Sequence, residues 1–200
     1  MSSRVRISTL LAGLAALVLT ACQTVPVPPA PVVAWRVRRP ELQSLRRFHL
    51  TGRVAVAVER RGFDADIRWA QQGARTRMVL SGPLGAGAVQ VTDRDGNLDV
   101  VTSHGKHLGD AAARRVLVRQ LGFEPPLRSL RYWVLGVPDP GTPAKVALDT
   151  KQRLATLRQD GWSIEYRAYM PVGADWLPRR LTVQRAGVRL RMVVDQWRLR

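Results

Sequence analysis

The run Leu50-Thr51-Gly52-Arg53-Val54-Ala55-Val56-Ala57-Val58-Glu59 decides the fold. Leu50, Gly52, Val54, Val56 and Val58 alternate with Thr51, Arg53, Ala55, Ala57 and Glu59. Successive side chains of a strand point to opposite faces, so this stretch reads as a strand with one apolar and one wet face. The pattern repeats outward. Phe63, Ala65, Ile67 and Trp69 alternate with Asp64, Asp66 and Arg68; Trp162, Ile164, Tyr166, Ala168 and Met170 oppose Ser163, Glu165 and Arg167; Val188, Leu190, Met192 and Val194 oppose Arg189 and Arg191. Turn residues separate the runs at Arg61-Gly62, Asp95-Gly96-Asn97, Asp160-Gly161 and Ala186-Gly187. Roughly nine strands in an antiparallel meander follow, with the weakest patterning at residues 74–81 and 146–158.

The middle of the chain departs from period two. Asp110 is placed to cap a helix over Ala111 to Leu121, with Gly122 just past its end. Pro126 suits the first turn of a second helix carrying Leu127, Leu130, Tyr132, Trp133 and Val134 until Gly136 and Pro138 stop it. A long sheet with one apolar face tends to curl, and that face needs a cover. The expectation is a mainly β fold with short helices: a single antiparallel sheet curled into an incomplete, open barrel, with a helical lid over an apolar cavity.

The N-terminus reads as an export signal. Arg4 and Arg6 precede a largely apolar stretch from Ile7 to Leu19, too short to span a bilayer comfortably. Leu19-Thr20-Ala21-Cys22 follows, and this order resembles the lipobox of bacterial lipoproteins. The resemblance implies cleavage before Cys22 and acylation of its thiol and new amine. Three acyl chains, at roughly 0.8 kcal/mol per buried methylene, anchor far more firmly than one. Gln23 stands where an aspartate would mark inner-membrane retention, which favours the outer membrane. Pro26, Pro28, Pro29, Pro31 and Pro40 make an extended tether. The expected organisation is a signal peptide over residues 1–21, a lipidated tether over 22–40 and one domain over 41–200, opening on a short helix around Glu41 to Arg47.

The net charge of +17 first suggests nucleic acid. A lipid-anchored exported protein meets none, whereas phosphate-bearing outer-membrane lipids surround it. The charge therefore reads as a membrane-surface preference, or as a solvated arginine-rich surface. Catalysis has no candidate. Cys22 is the one cysteine, and the three histidines, His49, His104 and His107, lack a third ligand at metal-binding spacing. Asp93, Asp95, Asn97 and Asp99 fail the calcium-loop pattern, because Leu98 and His104 occupy positions that require glycine and glutamate. Gly136 to Thr142 lacks the Gly-Lys-Ser/Thr ending of a phosphate loop, and the carboxylates fall on wet strand positions or turns. The expectation is no enzyme, no metal, and no cofactor beyond the acyl chains on Cys22.

From Phe48 onward the chain resembles the LolB family of outer-membrane lipoprotein receptors. The resemblance rests on Phe48 with Gly52-Arg53-Val54-Ala55-Val56, Phe63-x-Ala65-x-Ile67-x-Trp69, and Leu80-Ser81-Gly82-Pro83-Leu84-Gly85. It continues in Tyr132-Trp133-x-x-Gly136-x-Pro138, Asp160-Gly161-Trp162-x-Ile164-x-Tyr166, Leu177-Pro178-x-x-Leu181 and Val194 to Trp197. It implies an unclosed barrel with a helical lid and a non-enzymatic role: accepting lipoproteins from a LolA-like periplasmic carrier and inserting them into the outer membrane. The chain would be a monomer, anchored in the inner leaflet and facing the periplasm, with acylated lipoprotein cargo and outer-membrane lipids as partners and no nucleic acid.

Two groups of site residues follow from that resemblance. Leu84, apolar in a turn between Pro83 and Gly85, is expected to deliver cargo by dipping into the membrane. The apolar phase supplies the acyl-binding cavity: Val54, Val56, Phe63, Ile67, Trp69, Met78, Leu80, Trp133, Trp162, Ile164, Tyr166, Met192 and Val194. The same residues would equally build a dry core. In that case the chain is a structural or assembly accessory lipoprotein of the envelope with no lipid-binding cavity.

Overall fold

The computed structural model describes residues 34–59, 61–82 and 87–200. The expected signal peptide, Cys22, most of the tether and Leu84 lie outside the described residues. Helix α1 (Trp35–Ser44) is followed by strands β1 (Arg47–Val58), β2 (Arg61–Gln72), β3 (Arg75–Ser81), β4 (Ala88–Arg94), β5 (Asn97–Val101) and β6 (His107–Leu108). Helices α2 (Asp110–Leu121) and α3 (Leu127–Trp133) come next, then β7 (Ala144–Leu148), β8 (Leu154–Gln159), β9 (Trp162–Val172), β10 (Asp175–Arg185) and β11 (Val188–Leu199).

The strands form one sheet in the order β6-β5-β4-β3-β2-β1-β11-β10-β9-β8-β7, every neighbouring pair antiparallel. Two meanders therefore meet at a central seam where β1 pairs with β11, the first strand against the last. The meanders turn on hairpins that need left-handed backbone. Asp160 and Gly161 both take positive φ, 51° and 76°, the twisted two-residue geometry that matches strand twist. At the seam the register steps between Thr51 and Gly52. A Cβ at Gly52 would stand 2.1 Å from the carbonyl oxygen of Val193, so the close approach requires glycine.

The curled, incompletely closed barrel expected from the sequence is not what forms. The sheet is open and not strongly curled, with β6 and β7 as its two edges, each paired on one side. A cover exists without closure. Ala113 and Leu117 of α2, and Leu130 and Trp133 of α3, bury into the same cluster as the apolar strand residues. The helices that separate β6 from β7 in sequence thus shield the face that curling would otherwise have had to bury.

The first helix also differs from expectation. It begins at Trp35 rather than near Glu41 and carries Pro40 inside it, so residues 35–40 are helical rather than extended. Trp35 and Leu42 bury, Arg38 pairs with Asp175 at 3.1 Å, and the Gln43 amide donates to the Pro138 carbonyl at 2.8 Å. These tertiary contacts offset the hydrogen bond that Pro40 cannot donate.

Candidate functional site

The covered face of the sheet gathers nearly all the expected apolar residues. Val54 and Val56 of β1, Ile67 and Trp69 of β2, Met78 of β3, Trp162, Ile164 and Tyr166 of β9, Met192 and Val194 of β11 and Trp133 of α3 are buried in one packed cluster. Two residues differ. Leu80 is half-buried against that cluster, and Phe63 is 37% exposed.

Helix α3 is fixed to this face by a polar hub that alternation alone does not reveal. The Trp133 indole, 6.3 Å from the Trp162 ring, donates to Gln159 Oε1 at 2.8 Å. The Asp139 N–H donates to the same oxygen at 2.9 Å, and the Gln159 amide donates to the carbonyls of Asp139 and Thr142. Tyr166 donates its hydroxyl to the Trp133 carbonyl at 2.9 Å, and Tyr169 donates to the Leu154 carbonyl at 2.7 Å. Burial pushes both phenols well above their ordinary range, Tyr169 adding to it at Tyr166 and Asp149 adding to it at Tyr169 against the opposing Arg153 and Arg38, so they remain donors. Gln71 plays the matching part on β2, accepting from Trp69 Nε1 and from the Thr76 hydroxyl. The signal for both glutamines was in the sequence: each sits in the apolar phase of its strand, where a polar side chain needs buried partners.

Helix α2 is held differently, by surface charge. Leu98 donates its N–H to Asp110 Oδ1 at 3.1 Å, and Arg114 pairs with Asp110 at 3.0 Å and also with Glu124. The Leu98 N–H, more than burial opposes it, holds the Asp110 carboxyl below its ordinary value, and Arg114 adds to this. Asp110 therefore works inside the first turn rather than as the cap, which is Gly109. Asp93 lies in the β4–β5 hairpin, where it accepts the Gly96 N–H at 3.0 Å, consistent with a turn rather than a calcium loop. Burial raises its carboxyl, and the Gly96 N–H and Arg114 oppose that.

Beside the C-terminal turn of α2 the covered face opens. A cleft of ≈ 500 Å³ lies between that turn and the β1–β2 hairpin. Val56, Val58, Phe63 and Leu121 line it, with Arg61 and Arg119 also present. Here the exposed Phe63 lines the same cleft as Leu121 of the helix whose first turns carry the Asp110–Arg114 pair. At the far end of β3, Gly82 donates its N–H to the Gly87 carbonyl at 3.1 Å; Leu84 lies outside the described residues.

Comparison with known proteins agrees with this geometry. The family model described as "Outer membrane lipoprotein LolB" matches residues 46–197. An outer-membrane lipoprotein LolB of Pseudomonas putida is 32% identical over 166 residues, covering 83% of this chain and 81% of its own. One from Pseudomonas aeruginosa is 32% identical over 167 residues, with the same coverage of 83% and 81%. Among solved structures, a LolA superfamily protein from Nitrosomonas europaea is similar with a TM-score of 0.53 at 8% identity, over 84% of this chain and 94% of that one. A DUF1329 family protein from Desulfovibrio piger is similar with a TM-score of 0.52 at 8% identity, over 82% and 90%. These last two likenesses concern the fold.

Proposed function

The chain belongs to the LolB family of outer-membrane lipoproteins, which are not enzymes, and from that premise we propose that it receives acylated lipoproteins from a LolA-like periplasmic carrier and passes them into the outer membrane. Acyl chains on Cys22 hold it in the inner leaflet, facing the periplasm. The observation that carries the reading is the family match, which spans residues 46–197, from just before β1 into β11.

In this reading the cargo's acyl chains enter at the cleft beside Phe63. Helix α2 shifts to admit them against the apolar side chains beneath it. An element held by exposed ion pairs and few buried side chains opens at lower cost than the packed sheet. Uptake must remain reversible, so the site covers part of each chain and leaves the bilayer the better solvent. Leu84 then engages the membrane during delivery.

A purified transfer assay with carrier, acylated cargo and outer-membrane vesicles tests this. Phe63→Asp is expected to reduce cargo uptake tenfold or so while leaving the fold intact, since burying a carboxylate beside an acyl chain is costly. Leu84→Glu is expected to take up cargo normally and fail at delivery. Wild-type rates for both variants would reject the reading. The packed core favours a second reading, an accessory envelope lipoprotein with no lipid site. Failure of an acylated peptide to displace a hydrophobic dye from the protein would establish that alternative.

A further inference from the structure

The opposite face of the sheet carries an arginine-lined groove that the transfer reading leaves unused. In one row across four strands, Arg198 of β11 stands opposite His49 of β1, His49 opposite Ala70 of β2, and Ala70 opposite Arg77 of β3. In the adjacent row Thr51 stands opposite Arg68. Ala70 and Thr51 are short, so long side chains rim a depression of ≈ 320 Å³ beside the step in register at Thr51. Arg200 adds a further guanidinium at its edge.

These cations are unneutralised. Arg68, Arg77 and Arg198 are exposed, and none forms an ion pair among the described residues. The carboxylates on this face are engaged or set apart: Asp195 pairs with Arg53 at 3.2 Å, Asp66 stands opposite Arg53 and two residues before Arg68, and Asp99 lies two strands beyond Arg77 in its row, across Thr92. Neighbouring strands lie about 4.8 Å apart, so Arg77 and Arg198 root roughly 14 Å apart on either side of the depression, within reach of one bound group. Guanidinium forks match phosphate oxygens in geometry and charge, and three unpaired forks around a floor of small residues favour a phosphate ester.

We infer that this groove binds the head-group phosphate of an anionic phospholipid and holds the outer face of the sheet against the membrane surface. The inference rests on residence at the outer membrane, part of the reading above, and on nothing in the transfer step. It assigns the two faces of one sheet to different tasks, the helix-covered face to cargo and the bare face to lipid head groups.

Arginine footprinting tests it. The full chain, reconstituted in vesicles of phosphatidylcholine alone or with phosphatidylglycerol, is treated with phenylglyoxal, and modification is mapped by mass spectrometry. Protection of Arg68, Arg77 and Arg198 by about fivefold in the anionic vesicles is expected, the factor one arginine contributes at a charged surface. Arg158, Arg189 and Arg191, which are exposed on the same face, serve as the internal comparison and should keep their reactivity. Equal protection of both sets would mean a diffuse field and overturn the proposal. So would protection in neutral vesicles by millimolar inorganic phosphate alone, which means a small-anion site, or protection by polyglutamate but not by vesicles, which means an acidic protein partner. No cargo or carrier is present, so a negative footprint leaves the transfer reading standing, and a failed transfer assay leaves the footprint standing.

Discussion

Gln159 shows how much depends on a single side chain. Its amide accepts from the Trp133 indole and the Asp139 N–H and donates to two carbonyls, all within the buried junction of α3 and β8. Replacing it by alanine strands several of these groups at once, and each orphaned buried group costs about 1–3 kcal/mol. Gln159→Ala is therefore expected to lower stability by about 3 kcal/mol in urea unfolding. An unchanged midpoint would mean that water substitutes for the amide. Gly52 is a comparable point of intolerance, because the Val193 carbonyl already occupies the space a methyl would need.

At the scale of elements, the β7–β8 turn is set by charge. Partial burial alone would raise the Asp149 carboxyl, but the Arg153 guanidinium and the N–H groups of Arg153 and Lys151 outweigh it and hold the carboxyl below its ordinary value. A depressed carboxyl contributes stability that is complete above its unfolded value, about pH 3.9, and disappears as pH falls through the lower folded value. Asp149→Asn should thus lose about 1 kcal/mol at neutral pH and show a shallower loss of stability on acidification below about pH 4. Parallel acid titrations of the two proteins would refute this. Elements of this kind differed in legibility. Strands β1, β2, β9 and β11 could be read from alternation, and α2 and α3 from their caps and prolines. Helix α1 could not, because Pro40 argues locally for extension and the burial of Trp35 and the Arg38–Asp175 pair that override it are distant in sequence. The candidate site divides the same way. The apolar phase announced the covered face, but exposure of Phe63 and burial of its neighbours depend on where α2 lies.

For the whole molecule, curl was the property that local pattern misjudged. Alternation specifies which face of a strand is buried and is silent on how far the sheet bends between β6 and β7. An open sheet has edges to protect, and both show the expected devices. β6 is two residues long, and β7, exposed along most of its length, carries Lys145. Lys145→Val would remove that charge from a strand with one open edge. Concentration-dependent self-association, seen by analytical ultracentrifugation, is the expected result; a monomer indistinguishable from wild type would show that other features guard the edge.

The seam between β1 and β11 has a consequence for how the protein is made. Of the eleven strands of the sheet, β11 is the farthest from β1 in sequence, so the first strand finds its second partner only across the whole of the intervening fold. Each meander pairs strands that are near in sequence, whereas joining the two halves closes the longest loop of the sheet and carries the largest loop-closure cost. Such an arrangement makes the meeting of first strand and last the step that commits the whole sheet.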